Sequence, residues 1–302
     1  MPWLQLRLDT QPGEVEQLEE LMLATGAVAV TMEDNADEPV LEPGVGETPL
    51  WGQTRLTGLY DAGTEMAAVL DQFPAKLLTH ARQRIEILED KDWEREWIKH
   101  YQPMQFGDSL WVCPSWLEPP DPSATILLLD PGLAFGTGTH PTTALCLTEI
   151  AGMPLAQLQV VDYGCGSGIL GVATLKLGAQ HVLCVDNDPQ ALAASRDNAQ
   201  RNSIAEANLA VALPEDVDLS LHQNQADLVI ANILAGPLMT LSETLLTLLK
   251  PGGTLLLSGL IASQAEALCA HYSDRIELTV AGETDGWICL RGRLCSQTED
   301  TA

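Results

Sequence analysis

From residue 126 onward, short unbroken apolar runs alternate with stretches of helical periodicity, and this alternation constrains the fold more than any other feature. Runs such as Val-Leu-Cys-Val (182–185) lack polar alternation, which is typical of strands buried on both faces. Strands separated by helices join through right-handed crossovers, so the sequence predicts an α/β fold with a doubly wound parallel sheet. The last two strands, 277–281 and 287–291, have no helix between them, and we predict an antiparallel hairpin at the sheet edge. A single helix is predicted over 236–249.

The first 90 residues follow a different pattern, in which strands and helices succeed one another in the order βαββαβ. Residues 3–8 alternate apolar and polar side chains, the period of a half-buried strand, and Pro12 opens an amphipathic helix. A second helix is predicted over 64–78. Further strand patterns lie at 28–32, 55–60 and 85–88. This order is typical of a ferredoxin-like α+β module.

The chain therefore divides into three predicted parts and a tail. A ferredoxin-like domain occupies 1–90 and the α/β domain occupies 126–295. The linker over 91–125 combines a polar helix, predicted over 90–101, with a Pro-rich connector. We expect residues 296–302 to form a frayed tail.

The charge is unusually acidic, with 42 Asp and Glu against 15 Lys and Arg, a formal net charge of −27. Binding nucleic acid through its phosphates requires a basic patch, and the sequence has no basic stripe, so we expect no direct nucleic-acid partner. A basic protein is the natural electrostatic complement of such a surface. Solubility, or adaptation to a salty cytoplasm, explains the acidity equally well.

Cysteine usage and hydropathy bear on compartment and on metals. The seven cysteines form no CxxC pair and no metal-ligand spacing, and the six histidines share none either, so we predict no metal. Buried, reduced thiols are typical of a cytoplasmic protein. The N-terminal residues resemble no signal peptide, and no apolar run approaches the ~18 residues of a membrane span. We therefore expect a cytoplasmic protein without a membrane partner.

The strongest local signal is 160–170, where a buried strand meets three glycines at alternate positions and then a helix. Glycine permits positive φ and close ligand approach, and N–H groups at the helix start face that ligand. Dinucleotide-binding folds use G-x-G-x-x-G, whereas this chain has D-x-G-x-G-x-G, with Asp162 two residues before Gly164. A carboxylate there suits a positively charged ligand group, such as the amino group of S-adenosylmethionine, and would repel a pyrophosphate. We predict that Asp162, Gly164 and Gly166 bind this cofactor.

Two later strands end in polar residues where ligands bind in open α/β sheets. Asp186 ends the strand after the glycine turn, and its carboxylate can accept hydrogen bonds from both ribose hydroxyls of a nucleoside. Asp188, followed by Pro189, is interpreted as a helix N-cap. Asn232 ends the strand 226–231, and its side-chain carbonyl can orient an attacking amine. A cap for the helix starting at residue 236 is the other interpretation of Asn232.

The segment Leu129–Thr143 is rich in glycine and hydroxyl side chains and precedes a helix. Phe135, Gly136 and His140 lie in a loop that could close over a neighbouring site and exclude water. His140 invites the role of general base, but a lone histidine in such a loop is more often a structural, hydrogen-bonded residue.

Four segments together resemble the bacterial ribosomal protein L11 methyltransferases, a family of class I methyltransferases that modify protein. These segments are DPGLAFGTGTHPTT, DYGCGSGIL, DNDPQAL with ASRDNAQRN, and ANILAGPL. The similarity covers roughly residues 90 to 295, and the strand order of 1–90 agrees with the substrate-recognition domain of that family. Tyr163 departs from the Phe or Val that is commoner there.

The resemblance implies a Rossmann-like class I methyltransferase domain and transfer of methyl groups from S-adenosylmethionine. The acceptors would be lysine ε-amino groups and the N-terminal α-amino group of ribosomal protein L11, a basic partner, with the enzyme acting as a monomer. By motif match, the cofactor contacts of the family fall on Thr143, Gly164, Asp186 and Asn232. Asn232 is the predicted catalytic residue, aligning the amine without a dedicated strong base.

Three other functions stay open from the sequence. A methyltransferase that acts on another protein or on a small amine would share every motif, because substrate choice lies in the weakly patterned 1–90. A nicotinamide-dependent oxidoreductase would share the glycine-rich turn. A non-catalytic adaptor could use the ferredoxin-like module to bind protein or RNA, although the intact glycine turn argues against it.

Overall fold

A computed structural model describes residues 2–36, 50–88, 101–130, 135–136 and 138–295. The chain forms two compact units, Met1–Lys99 and His100–Ala302. The predicted helix over 90–101, apart from Tyr101, and the predicted tail over 296–302 lie outside the described residues. Each unit is described separately.

The described part of the first unit is a four-stranded sheet with helices on one face. Neighbouring strands are antiparallel and lie in the order β2-β3-β1-β4, the arrangement of the ferredoxin-like plan. Its elements are β1 (Trp3–Thr10), α1 (Pro12–Ala24), β2 (Ala29–Asp34), β3 (Thr54–Asp61), α2 (Met66–Leu70), α3 (Ala75–His80) and β4 (Arg82–Leu88).

The core of this unit is built by period-two alternation in the strands and by one face of α1. Leu6 and Leu8 are fully buried and pack with Leu18 and Met22 of the helix. The predicted single helix over 64–78 was wrong in its continuity, since α2 and α3 are separate. Pro74 explains the break, because proline donates no N–H to the helix and disfavours helical backbone at the residue before it.

The second unit contains a seven-stranded sheet in the order β10-β9-β8-β11-β12-β14-β13. The first five strands are parallel, and β14 is antiparallel to both β12 and β13. Its elements are β5 (Met104–Phe106), β6 (Leu110–Cys113), β7 (Thr125–Leu128), α4 (Pro141–Ala151), β8 (Gln159–Tyr163), α5 (Ile169–Lys176), β9 (His181–Val185), α6 (Pro189–Arg201), β10 (Leu209–Ala212), β11 (Ala226–Asn232), α7 (Ala235–Thr240), α8 (Ser242–Leu248), β12 (Leu249–Ile261), α9 (Ala262–Tyr272), β13 (Ile276–Thr284) and β14 (Trp287–Leu294).

This arrangement confirms the predicted doubly wound sheet and its antiparallel edge hairpin. The central strands β8, β9 and β11 are buried almost throughout, because helices cover both faces of the sheet. One core cluster lies on each face: Val160, Val182 and Ile230 belong to one, and Val161 and Val229 to the other. Each strand therefore presents apolar side chains in both directions.

Two details of this unit differ from the sequence prediction. The part of the predicted linker over 104–125 contains the strands β5 and β6 and the first residue of β7, which together form a separate small sheet within the second unit. The predicted helix over 236–249 is two helices that meet at Leu241. Tyr272 Oη donates to the carbonyl of Leu238 at 2.6 Å, which takes a helix acceptor out of the regular ladder.

Candidate active site

A cavity of about 650 Å³ opens at the carboxyl ends of the parallel strands. Polar residues of its lining come from several strand ends, whereas much of the rest is apolar. The lining residues are Phe135, His140, Thr142, Tyr163, Gly164, Asp186, Asn187, Pro214, Asn232, Ile233, Leu234, Pro237, Leu241, Gly259 and Trp287. Ligands bind at this edge in open α/β sheets, so the cavity is the candidate site.

The glycine turn between β8 and α5 is fixed to the neighbouring strand. The N–H groups of Gly164 and Cys165 both donate to the carbonyl of Val185, at 2.7 and 3.1 Å. Gly166 has a φ of +54°, and a Cβ on it would lie 2.6 Å from the carbonyl oxygen of Phe135. The turn therefore requires glycine both for its backbone conformation and for close packing against residue 135.

Asp186 lies where the sequence predicted, at the cavity edge after β9. Its Oδ2 accepts from the N–H of Gly166 at 2.8 Å, and its Oδ1 accepts from the N–H of Asp188 at 3.0 Å. Asp188 caps α6 by accepting from the N–H of Gln190 at 2.8 Å, which confirms its structural role. These bonds aim the Asp186 carboxylate and leave it lone pairs for ribose hydroxyls.

The same geometry bears on the oxidoreductase alternative. A pyrophosphate needs free N–H groups at the glycine turn, but the Asp186 carboxylate already occupies the N–H of Gly166. Among the described lining residues, Asp186 is the one acidic residue, and no lysine or arginine is present. A site of this charge repels a dinucleotide phosphate and favours a neutral or positively charged nucleoside.

Asn232 is the last residue of β11 and lines the cavity. Its Nδ2 donates to Thr143 Oγ1 at 3.3 Å, while its Oδ1 has no hydrogen-bond partner in the described part of the chain. Thr143 is fully buried and does not line the cavity. The N-cap of α7 is Leu234, so Asn232 does not cap that helix. This carbonyl oxygen is a buried acceptor, which an N–H of a bound ligand would satisfy.

Phe135 and Gly136 lie directly over the glycine turn. Ser167 donates twice to this segment, from its N–H to the Phe135 carbonyl at 2.8 Å and from its hydroxyl to the Gly136 carbonyl at 2.6 Å. The Phe135 side chain is 59% exposed and lines the cavity. Phe135 and Gly136, which were predicted as part of a lid, are thus hydrogen-bonded to the glycine turn.

His140 lines the cavity but is engaged as the N-cap of α4. Its Nδ1 accepts from the N–H of Thr142 at 3.4 Å and lies 2.8 Å from the Thr142 hydroxyl. Burial lowers the pKa of His140, which favours the neutral ring. Because Nδ1 is committed to the cap, the geometry supports a structural role over that of a general base.

Asp162 is not brought to the cavity. It is 1% exposed at the end of β8, and its Oδ2 accepts from the N–H of Gly171 at 2.9 Å. Burial is the main cause that raises its pKa to about 7, against the lowering effect of that bond, with a further raising effect from Asp186. The hydrogen bond from Gly171 to Asp162 therefore connects the first turn of α5 to the end of β8, next to the glycine turn.

We expect this buried carboxyl to make folding stability fall as pH rises from about 4 towards 7. Because the folded pKa of Asp162 lies above its unfolded value of 3.8, the native state binds the extra proton and its stabilisation is lost between about pH 4 and 7. The loss is at most roughly 4 kcal/mol, because each pKa unit corresponds to about 1.4 kcal/mol. Asp162→Asn should therefore flatten this dependence, as measured by urea unfolding of both proteins at pH 5, 6.5 and 8. If the free energy of unfolding depends on pH in the same way in both proteins, the raised pKa of Asp162 is contradicted.

The sequence interpretation missed the other side of the cavity. Trp287 begins the last strand, and its register opposite Ile261 brings it to the carboxyl end of β12. Gly259 was also missed: with φ +90°, a Cβ on it would lie 2.3 Å from the Ile233 carbonyl oxygen. The available signal was the predicted hairpin itself, since the start of an antiparallel last strand must lie at the carboxyl edge.

Two further observations concern the part of the chain that the structure describes. No helix there is both long and apolar enough to cross a membrane. No group of three or more His, Cys, Asp or Glu side chains there is placed to hold a metal ion.

The strand order and the cavity together define a class of enzyme. A site with a carboxylate after β9, an amide at the end of β11 and no lysine or arginine in its described lining fits a nucleoside that carries a positive sulfur. On a parallel sheet closed by an antiparallel hairpin, it belongs to a class I S-adenosylmethionine-dependent methyltransferase, and S-adenosylmethionine is the methyl donor.

Comparison with known proteins identifies the family. The family model described as ribosomal protein L11 methyltransferase (PrmA) matches residues 2–294. The ribosomal protein L11 methyltransferase of Teredinibacter turnerae is 50% identical over 97% of this chain and 97% of its own length. That of Pseudomonas aeruginosa is 51% identical over 97% and 99%.

A solved structure, the ribosomal protein L11 methylase from Lactobacillus delbrueckii subsp. bulgaricus, is 32% identical with a TM-score of 0.57. It aligns over 65% of this chain and 100% of the other. The chain therefore belongs to the ribosomal protein L11 methyltransferase family, and the resemblance drawn from its motifs is confirmed.

Proposed function

We propose that this protein transfers methyl groups from S-adenosylmethionine to amino groups of ribosomal protein L11, namely lysine ε-amino groups and the N-terminal α-amino group. The observation that carries the proposal is the Asn232 amide in the cavity lining, whose buried carbonyl oxygen has no partner among the described residues. It is built to accept a hydrogen bond from an N–H. The family relationship supplies the substrate protein.

The residues that would hold the cofactor lie along the glycine turn and the next strand end. Gly164 permits close approach of the ligand, and Asp186 is oriented by Gly166 to accept from ribose hydroxyls. When bound, S-adenosylmethionine supplies a sulfonium-bound methyl: the amine lone pair forms the N–C bond while the C–S electron pair returns to sulfur. The Asp186 carboxylate suits this cation because opposite charges attract, and the apolar lining excludes water from the reacting groups.

The acceptor amine must lose its proton before the transfer. A free lysine at pH 7.4 lies about 3 units below its reference pKa of ~10.4, so exposing its lone pair costs roughly 4 kcal/mol. An α-amine, with a reference pKa near ~7.7–8.0, costs less than about 1 kcal/mol. An apolar pocket beside a positive sulfur favours the neutral amine, so no strong base is required.

Alignment is then the main contribution of the protein. Thr143 is buried in α4, and its hydroxyl accepts a hydrogen bond from the Asn232 amide. This bond fixes the orientation of the Asn232 carbonyl relative to the end of β11. Correct orientation of reacting groups contributes up to roughly 7–11 kcal/mol. After transfer, the product ammonium releases its remaining N–H proton to water, and the amine can react again.

The substrate protein would be captured by electrostatics and by the first unit. A net charge of −27 attracts a basic ribosomal protein, and the four-stranded sheet of the first unit offers a surface for recognising it. The described residues that line the cavity all come from the second unit of one chain, which is consistent with action as a monomer. The seven cysteines are free thiols, as a reducing cytoplasm requires.

We expect salt to weaken substrate capture through the association rate. Electrostatic steering raises on-rates by about ten-fold or more, and salt screens it beyond a Debye length of ~10 Å at 0.1 M. Raising sodium chloride from 50 to 300 mM should lower kcat/KM for the protein substrate by about ten-fold with kcat nearly constant. Stopped-flow association measures this directly. If the association rate does not change with salt concentration, the acidic surface serves solubility and not substrate capture.

The function is tested by incubating the enzyme with labelled S-adenosylmethionine and a total ribosomal protein extract from unmodified ribosomes. Label should enter one band, identified by mass spectrometry as L11, at lysines and at the N-terminus. If label enters another protein, or small amines alone, L11 is not the substrate. Thermal shifts with S-adenosylhomocysteine and with nicotinamide cofactors separate the two enzyme classes, because a true ligand stabilises the native state.

A further inference from the structure

Three rings form a continuous surface on one side of the cavity, which we name the aromatic wall: Phe135, His140 and Trp287. The ring centroids of Phe135 and His140 are 5.4 Å apart, and those of His140 and Trp287 are 5.0 Å apart with their planes at 68°. All three line the cavity. None of the hydrogen bonds that fix the glycine turn or Asp186 involves these rings.

The strand order shows which side of the site the wall occupies. Asp186 follows β9 and Trp287 begins β14, four strands further along the sheet. At about 4.8 Å per strand, these ends lie about 19 Å apart, and Asn232 at the end of β11 lies midway. A ribose bound to Asp186 therefore extends from the opposite side of Asn232, which leaves Trp287 on the side from which an acceptor must come.

We propose that the aromatic wall is the acceptor subsite, and that Trp287 determines how many methyl groups one amine receives. The inference deepens the proposed function and rests on it, because it takes an amine as the acceptor. The surface suits an ammonium that becomes more apolar with each transfer. Aromatic faces attract cations, with Trp the strongest, and they also cover methyl groups that water would leave exposed.

The chemistry of successive transfers explains why such a wall matters. Each transfer forms one N–C bond, breaks one C–S bond and leaves a positively charged, methylated amine. Before the next transfer, that amine must lose a proton to water and turn its lone pair again toward the methyl donor. A wall that holds the methylated group beside Asn232 keeps it in the site through this exchange. Without the wall, release after one transfer becomes favourable.

The test compares Trp287→Ala, Trp287→Phe and a matched control, Trp116→Ala, which removes an exposed tryptophan outside the cavity. Each full-length variant is given S-adenosylmethionine and unmodified L11, and mass spectrometry follows the mono-, di- and trimethylated forms with time. Calorimetry with S-adenosylhomocysteine measures the cofactor site separately. We expect Trp287→Ala to lower the later transfers about ten-fold relative to the first, with cofactor affinity within about two-fold of native.

Trp287→Phe should restore most of the later transfers, since it keeps a ring in the wall, and Trp116→Ala should match the native protein. Equal slowing of all transfers in Trp287→Ala and Trp287→Phe would show a structural role and overturn the inference. Loss of S-adenosylhomocysteine affinity with an unchanged methyl distribution would assign Trp287 to the nucleoside and also overturn it. A native enzyme that binds the cofactor but methylates no L11 amine would instead refute the proposed function, and the inference with it.

Discussion

Gly166→Ala is expected to weaken cofactor binding by roughly ten- to a hundred-fold and to destabilise the fold. The N–H of Gly166 holds the Asp186 carboxylate at 2.8 Å, and a hydrogen bond to a charged group is worth about 1.5–3 kcal/mol. A Cβ at residue 166 would lie 2.6 Å from the Phe135 carbonyl oxygen, so the turn and residue 135 must separate. That separation moves the donor away from Asp186 and loosens the segment that covers the turn.

A matched control distinguishes the contact from the backbone strain. Gly252 also has a positive φ, +78°, but a Cβ there meets nothing within 4 Å, and the residue lies near the amino end of β12, away from the cavity. Gly252→Ala should cost only the left-handed backbone strain, about 1–2 kcal/mol, with native cofactor affinity. Calorimetry with S-adenosylhomocysteine and urea unfolding measure both quantities. Native affinity in Gly166→Ala would show that the turn tolerates a side chain.

Local signals explain how much of this fold could be predicted from the sequence. Unbroken apolar runs specify strands buried on both faces, and the missing helix before residue 287 specifies the edge hairpin. Asp186 and Asn232 could be placed because each ends a parallel strand, and such ends meet at one edge of the sheet. Connectivity and position in a strand were sufficient for both.

The features that could not be predicted depend on contacts between residues distant in sequence. The division between α7 and α8 is associated with a hydrogen bond from Tyr272 to Leu238, which is 34 residues away. No pattern in the sequence around residue 241 predicts this break. The three glycines of the turn do not by themselves say that Asp162 faces away from the cavity. Its contact with Gly171 is a property of the folded turn, in which the helix start passes over the strand end.

The aromatic wall likewise could not be predicted from the sequence, because it joins residues that are distant in the chain. Phe135 and His140 lie in a glycine-rich segment that attracts attention, whereas Trp287 lies 147 residues beyond His140 and belongs to no motif. Only the antiparallel return of β14 brings its ring to the cavity. Residues that shape an acceptor subsite are therefore harder to find from sequence than those that bind the cofactor, because a glycine turn has a local signature and a wall has none.

Asn232→Ala is expected to lower kcat about a hundred-fold while leaving the Kd for S-adenosylhomocysteine within about three-fold of native. Displacing a reacting group by about 1 Å can cost about 10²-fold, and alanine removes the carbonyl that would hold the amine in line. The proposed cofactor contacts at Gly164 and Asp186 do not depend on the amide, since these residues are held by hydrogen bonds to Val185 and Gly166. An interaction made to the acceptor in the transition state should appear in kcat.

Thr143→Val provides the companion variant, because it removes the hydroxyl that holds the Asn232 amide and keeps a side chain of similar size in a fully buried position. With the amide present but no longer fixed, kcat should fall by less than in Asn232→Ala. Single-turnover rates on L11 measure the transfer step, and melting temperatures show whether each variant remains folded. Equal losses of kcat and cofactor affinity in Asn232→Ala would place the amide in cofactor binding. A Thr143→Val enzyme with native kcat would mean that Asn232 needs no support from α4, since alignment by a loose amide would then suffice.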